Sequence, residues 1–415
     1  MNKRGVALII SYMVIAVLTV LGAAFMLRSI SEGRISNNYL QSNQALWLAD
    51  AGIQKAVWEL NKNSCVGCSQ CGTVTPCANC TCSSASKCVS GTLGSFGDYD
   101  ATIDSANTTI TSIGSVPSRS VANKVTRSVK VTLTGGSVFS YASFAQGSIS
   151  ISPNTLVDSY NSSLGDYGIG NTGSNGDIGT NSSASGAITI GNNVSIYGDA
   201  STGPSGTITQ GSNTQISGST TNTNNVTLTP VVVPSNLTSL TNAGDLFPAH
   251  GTATSKTLSA GNYKYSSVNI PGNGTVTING TVNLYLTGSS SISTGNNVNI
   301  VVASGAKLTV YVDGKVDISN NAIVNNISKI PANFQIYSTY SGASGVLLDN
   351  NTEFYGAVYA PTTSVSVSNN VGVYGAIVGQ TVNLANNSSV HYDEALRQVT
   401  GQGSSGYTIS DWQEI

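Results

Sequence analysis

The sequence predicts two modules in series: an α+β N-terminal module, made of one long helix and a small antiparallel sheet, followed by an all-β parallel β-helix, or solenoid. Three observations carry this. An uncharged run at residues 6–27 opens the chain and passes, with no proline, into a polar segment that keeps helical spacing to residue 62. Between residues 99 and 133, β-branched and polar residues alternate at period two. From residue 137 to 395, short apolar–Ser/Thr runs recur between Gly and Asn-Asn turns, with a period of roughly 20 residues that is typical of stacked repeats. The expected division is a leader at 1–5, the helix at 6–62, a Cys-rich loop at 63–90, the small sheet at 91–136, the β-helix at 137–396 and a C-terminal tail at 397–415.

Composition narrows the class. Charged residues are 9% of the 415, against about 25% in ordinary proteins. The formal charge is −2 and no long basic run exists, which argues against a nucleic-acid partner. Apolar alternation is too persistent for a disordered chain.

The uncharged run is long enough to cross a bilayer core of roughly 30 Å at about 1.5 Å of rise per residue. Lys3 and Arg4 precede it, so the short N-terminus is expected in the cytoplasm and the remainder outside. A secretory signal would have a shorter apolar core and a small-residue cleavage site. Beyond the run, Ile30, Ile35, Leu40, Ala45, Leu48, Ile53, Val57 and Leu60 keep loosely helical spacing.

Met1-Asn-Lys-Arg-Gly5 followed by Val6-Ala-Leu-Ile-Ile10 resembles the leader that prepilin peptidase cuts after glycine. Gln44-Ala-Leu-Trp-Leu-Ala-Asp-Ala-Gly-Ile-Gln-Lys-Ala-Val-Trp-Glu59 resembles the signature of the PilX-like minor pilins, with Asp50 where that family has Glu. The resemblance covers residues 1–62. It implies processing at Gly5–Val6, a long helix laid on a short sheet, and other pilins and the membrane as partners. It also implies residence in the inner membrane and then in an extracellular pilus or pseudopilus. One position departs from the pattern. Major pilins carry Glu as the fifth mature residue, where this chain has Ile10; its first acid is Glu32. In the family that Glu neutralises a neighbour's terminal amine inside the membrane, where an uncompensated charge costs several kcal/mol. By the same analogy Ile10 is a tip determinant.

Seven cysteines fall within 24 residues: Cys65, Cys68, Cys71, Cys77, Cys80, Cys82 and Cys88. In an exported chain such crowding reads first as a disulfide-stapled loop, with a thiolate zinc or iron–sulfur site as the alternative. Haem attachment is excluded, because no C-x-x-C is followed by His. The connectivity is not readable, and the odd count leaves one thiol over or an intermolecular bridge.

The alternating runs 99–104, 108–113 and 124–133 read as strands of the small sheet, and Gly135-Gly136 as a boundary. In the long C-terminal part, Ile188-Thr-Ile-Gly-Asn-Asn-Val-Ser-Ile-Tyr-Gly198 and Val365-Ser-Val-Ser-Asn-Asn-Val-Gly-Val-Tyr-Gly375 have one pattern. Asn and Gly tolerate the positive φ of tight corners, and stacked Asn can form amide ladders. A β-sandwich with similar strands is the alternative. Val157-Asp-Ser-Tyr-Asn-Ser-Ser163, Gly176-Asp-Ile-Gly-Thr-Asn181, Gly356-Ala-Val-Tyr-Ala-Pro361 and Val390-His-Tyr-Asp-Glu-Ala-Leu396 resemble an uncharacterised domain often fused to PilX-like pilins.

Polysaccharide cleavage would need clustered carboxylates or a basic proton acceptor. No Arg occurs between Arg127 and Arg397, His250 and His391 stand far apart in sequence, and Asp313 and Asp317 around Lys315 are the nearest carboxylates of interest. Tyr197, Tyr355 and Tyr374, each followed by Gly, recur at matching points of the repeat. They read either as an aromatic strip for a glycan or surface ligand, or as stacked, partly buried tyrosines. The expectation is a non-enzymatic minor pilin or pseudopilin of a type IV pilus or type II secretion-like fibre, needing no cofactor or metal, that displays its β-helix for adhesion. A pilin-anchored polysaccharide-degrading enzyme and a plain membrane-anchored surface protein are the alternatives.

Overall fold

The computed structural model describes residues 3–61, 87–104, 109–135, 137–248, 254–399 and 407–415. Two compact units emerge: Met1–Thr134 with Tyr407–Ile415, and Gly135–Gly406. Cys65, Cys68, Cys71, Cys77, Cys80, Cys82 and His250 lie outside the described residues.

The first unit is built on one helix, α1 (Lys3–Asn61). It is the one helix among the described residues long and apolar enough to cross a membrane by length and composition. Gly5, Val6 and Ile10 fall in its first turns. From Tyr12 to Leu40 its side chains are exposed, including Ile30, Ile35 and Leu40. From Ala45 onward one stripe is buried: Ala45, Leu48, Ala49, Ile53, Ala56 and Leu60, at the three-and-four spacing of a helix face. That stripe lies on an antiparallel sheet of β1 (Lys87–Thr92), β2 (Asp98–Ile103), β3 (Thr109–Val116) and β4 (Val125–Gly135). Helix and sheet approach closely because both lack bulk at the crossing. A Cβ on Gly114 would overlap the Ala45 carbonyl, and one on Gly52 would overlap the Ser112 hydroxyl and crowd Tyr99. Gly52 of the pilin-like signature thus has a packing reason.

Residues 407–414, expected as part of a tail, form a fifth strand beside β4. Arg127 pairs with Glu414, and the Ile415 N–H donates to the Ser128 carbonyl at 3.0 Å. The sheet is therefore completed by residues that follow the whole second unit. Cys88 is a half-buried residue of β1, in register with Thr102.

Asp98 and Arg119 fasten the β3–β4 connection to β2. The Asp98 carboxylate accepts from Thr92 Oγ1 at 2.6 Å, and from Ser118 Oγ and the Arg119 N–H at 2.8 Å. The guanidinium adds Asp98 at 3.3 Å and Asp100 at 2.6 Å. Burial pushes the Asp98 carboxyl up, but these hydrogen bonds outweigh it and hold the group at about 2, below its ordinary 3.8. Burial raises Asp100, and Arg119 offsets part of that rise.

The second unit is a large parallel-strand β domain. A nine-stranded sheet runs from Ile208–Gln210 through Ile188–Ile190, Ile149–Ile151, Val382–Leu384, Val365–Val367, Val346–Leu348, Lys315–Ile318 and Ser290–Thr294 to Val268–Ile270. A second, larger sheet takes up the chain after each of these strands, and its pairings are also parallel. Each repeat is a rung that feeds both sheets. Inward positions are Val, Ile, Leu and Phe, as in the column Val157, Val390, Val373, Phe354, Val324 and Ile300, all buried.

Rung order in space is not sequence order, contrary to the simple expectation that each coil stacks on the next. The chain enters at Ile149–Tyr160 in the middle of the stack and builds outward to the rung at 208–221. Residues 222–248 then run toward the opposite end, and from Ser255 the chain returns rung by rung to 382–393. There Val382 pairs with Ile149 and Val390 with Val157. The crossing segment is tied down as it goes: Asn181 to Val226, Tyr359 to Thr229, Thr238 to Lys264, and Asn242 to Thr287.

One corner is the same after each strand of the nine-stranded sheet. Asn213, Asn193, Asn154, Asn387, Asn370, Asn351, Asn321, Asn297 and Asn273 all take positive φ, 54–63°. Each of the first eight amides bonds to its neighbour in this series at 3.1–3.4 Å. The ladder crosses the junction between first and last rungs without a break.

Asn351→Ala should destabilise the domain by about 1–2 kcal/mol from backbone strain, on top of the lost amide contacts. Asn351→Gly should forfeit only the contacts, so thermal melting of the two variants should differ by that strain. Acid denaturation should involve Asp98. A depressed carboxyl contributes stability in full above the unfolded value of 3.8 and loses it as pH falls through about 2. Melting temperature followed against pH should drop across that interval, and Asp98→Asn should start lower at neutral pH and flatten the drop.

Candidate surface-binding face

Alternation sends every second residue of a rung outward, and one outward column is chemically distinct. Tyr355 is in register with Tyr374, Tyr374 with His391, and His391 with Asp158. Tyr197 follows the paired Ile196 and Val157, its N–H donating to the Val157 carbonyl at 2.8 Å. All three tyrosines singled out from the sequence, and His391, thus belong to one column.

The column is a stack. The Tyr355 and Tyr374 rings are 4.3 Å apart at 8°, and Tyr374 and His391 are 4.8 Å apart at 29°. His391 Nδ1 lies 2.6 Å from Asp158 Oδ1. Tyr167, in the loop after Leu156–Tyr160, folds back over the stack. Its ring sits 3.9 Å from His391 and its hydroxyl donates to Asp158 Oδ2 at 2.7 Å. Burial raises the Tyr167 hydroxyl above the ordinary phenol range, and the Asp158 hydrogen bond and charge raise it further.

The cover is braced from within and from the side. The Asn171 side chain donates to the carbonyls of Asn161, Gly165 and Asp166, while its oxygen accepts from the Asn161 N–H. Lys329, from the turn after Ile323–Val324, bonds Asp166 at 3.0 Å and stands 5.8 Å above the Tyr355 ring. As a result Tyr355 is 8% exposed, His391 5% and Asp158 6%, while Tyr374 is half-buried. Tyr197, one rung beyond the cover, is 38% exposed. An open tyrosine strip is therefore corrected: Tyr355 is not a contact surface, and the stacked, partly buried alternative describes it. Leu164, Ile169, Ile327 and Ile330 are instead exposed, on the two covering segments that Lys329 and Asp166 join.

The carboxylates considered for catalysis do not share a face. The chain turns at Asp313-Gly314 between Lys307–Val312 and Lys315–Ile318, so Asp313 sits at a corner and Asp317 on the next sheet. Asp313 accepts from Tyr285 at 2.5 Å and Thr339 at 2.6 Å, and burial with that bond pushes the Tyr285 hydroxyl up to about 12. Among the described residues no three of His, Cys, Asp and Glu gather as a metal-holding group.

Sequence reasoning missed Tyr167, Asp158 and Lys329. Asp158 and His391 share the Val-x-x-Tyr/Val-x-Tyr-Asp context of the first and last rungs, a likeness visible once those rungs are known to pair. Nothing local marks Tyr167 as a cover.

Tyr355→Ala should leave a cavity under Lys329 and cost about 3–5 kcal/mol, while Tyr197→Ala should change stability by less than about 0.5 kcal/mol. Thermal melting distinguishes them. A loss of adhesion in a Tyr355 variant would then need a stability control.

Residues 209–399 match the sequence model of a family described as a domain of unknown function, DUF7305. No curated protein matches the chain. Among solved structures, the ice-binding protein_1 DUF3494 domain of Shewanella frigidimarina is similar at 15% identity, covering 62% of this chain and 95% of that one, with a TM-score of 0.26. The competence-associated pilin ComZ from Thermus thermophilus is similar at 10% identity, covering 90% of this chain and 98% of that one, with a TM-score of 0.24. At such scores neither likeness defines a shared fold.

Proposed function

We propose that the chain is a non-enzymatic minor pilin or pseudopilin that carries a parallel β-helix outward for contact with a surface or glycan. The observation that carries this reading is the division of labour along α1. Its C-terminal part is buried on an antiparallel sheet, while its side chains from Tyr12 to Leu40, uncharged as far as Leu27, are exposed throughout. Exposed apolar surface on that scale needs lipid or neighbouring helices. Lys3-Arg4-Gly5 before it supplies the charge step for membrane orientation and the glycine for prepilin peptidase. Other pilins are the partners of this segment, first in the inner membrane and then in a type IV pilus or type II secretion-like fibre.

Ile10, in place of the expected acid, favours the fibre tip. The β domain is inserted between β4 and the strand at 407–414, so two chain connections join it to the pilin-like unit. The cysteine-rich segment completes the reading as an oxidised, disulfide-bonded loop.

Intact mass and N-terminal sequencing of the membrane-extracted protein, without reduction, test this. The chain should begin at Val6 and show at most one free thiol among its seven cysteines. A start at Met1 would remove the pilin reading, and seven free thiols with bound metal would replace the disulfides. Immunogold labelling should mark one fibre end; uniform decoration would reject the tip.

A further inference from the structure

The crossing segment does more than connect the two runs of rungs. Where residues 224–230 pass the rungs, they leave a cleft of about 590 Å³ against the turns that follow Ser143–Ala145, Ile178–Thr180, Ala200–Ser201 and Glu353–Ala360. The volume is in the range of small-molecule sites, roughly 300–1,000 Å³.

Its walls are fixed by bonds already made. The Asn181 side chain acts as a backbone surrogate: its Nδ2 donates to the Val226 carbonyl at 2.6 Å and its Oδ1 accepts from the Val226 N–H at 2.8 Å. Asn224 Nδ2 donates to Ser201 Oγ at 2.7 Å, and the Tyr359 hydroxyl to the Thr229 carbonyl at 2.7 Å. The segment is thus held at three successive points, and little ordering remains for a ligand to impose.

The lining has one chemical character. It contains no Asp, Glu, Lys, Arg or His. Gln146, whose Oε1 accepts from Asn181 at 2.9 Å, donates its amide N–H groups to no other side chain or carbonyl among the described residues. Asn225 and Thr227 add a further amide and a hydroxyl, and prolines and Leu228 supply aliphatic surface. Neutral donors and acceptors set among C–H surfaces match a neutral polyol whose ring faces are apolar and whose rim is hydroxyl. An anionic ligand would find no cation to pair with its charge.

We infer that this cleft is a binding site for a neutral saccharide, formed by the crossing segment and the rung turns. The inference rests on the reading of this domain as a contact module and moves the contact from the covered tyrosine column to the cleft. Full-length protein in a detergent without a sugar headgroup should be titrated with lactose, maltose and N,N′-diacetylchitobiose, and with digalacturonate, followed by saturation-transfer NMR and calorimetry. At least one neutral disaccharide should bind, with digalacturonate weaker by tenfold or more. Gln146→Ala and Asn225→Ala should each weaken binding by about fivefold, the worth of one hydrogen bond; melting temperature should be unchanged in Asn225→Ala and only slightly lower in Gln146→Ala, which also gives up the acceptor for Asn181. Ser150→Ala, on another face, should have no effect. Failure of all three neutral sugars, equal binding of digalacturonate, or indifference to both cleft variants would each overturn the inference. Adhesion of fibres carrying the same variants separates the two readings. Adhesion that persists undiminished without saccharide binding removes the cleft but keeps the contact module; saccharide binding without any adhesion does the reverse.

Discussion

The β domain depends on one seam. Its last rung, 382–393, pairs in parallel with its first, 149–160, across more than two hundred residues of chain. Without that pairing the outer rungs at 188–221 and the returning rungs at 268–379 would be two short stacks, each with an open edge in the middle and an apolar row exposed there. The seam is apolar inside, with Val390 on Val157 and Leu384 on Ile151, and the asparagine ladder runs over it through Asn387 and Asn154. Parallel pairing over such a sequence separation is slow to form.

The two outer ends are finished differently, and both ways follow from what an end must hide. At one end the rung at 208–221 turns some of its core positions polar, while Ile208 and Ile216 still pack on the rung beneath. Gln210 stands in register with Ile190, and Thr220 with Ala200, so the final layer can meet water. At the other end the crossing segment supplies Leu237, Leu246 and Phe247, all buried, and Asp245 bridges to Ser267. The same segment therefore closes one end, passes along one side and walls the cleft beside Val226.

Much of this was legible in the sequence, and the limit is a physical one. The helix and the alternating strands of the small sheet are local patterns, and periodicity reports them directly. The Asn-Asn corners were legible too, because positive φ selects residue type at a single position. Order in space is not local: nothing in Val157-Asp-Ser-Tyr160 or Val390-His-Tyr-Asp393 says that they are neighbours rather than ends. Exposure was the costliest omission. Tyr355 and Tyr374 recur at matching points of the repeat and are in register, yet an outward position is not an uncovered one when a glycine-rich loop returns with Tyr167. The strand at 407–414 was missed for a similar reason, since its partner β4 precedes it by the entire β domain.

Cover separates the faces of the domain, and it bears on where contact can occur. The column of Tyr355, Tyr374 and His391 lies beneath the loop that carries Tyr167 and the turn that carries Lys329. A second column in the same sheet, Tyr311, Tyr337 and Tyr359, is buried, with Tyr359 bonded to the crossing segment at Thr229. Both rows are thus largely covered by the protein's own chain, with Tyr197 left open beyond the cover. Beside the exposed apolar residues of the covering segments and Tyr197, what stays open is neutral and small: outward Ser150, Thr189, Thr209 and Asn383 on the nine-stranded sheet, the asparagine corner, and the amide-lined cleft. A domain with so few charges keeps solvent-compatible surface through hydroxyls and amides, groups that bind weakly and without regard to salt. Contact built on such groups gains strength through repetition or through shape in a preformed cleft. The second route needs fixed walls, which is what the Asn181–Val226 pair provides.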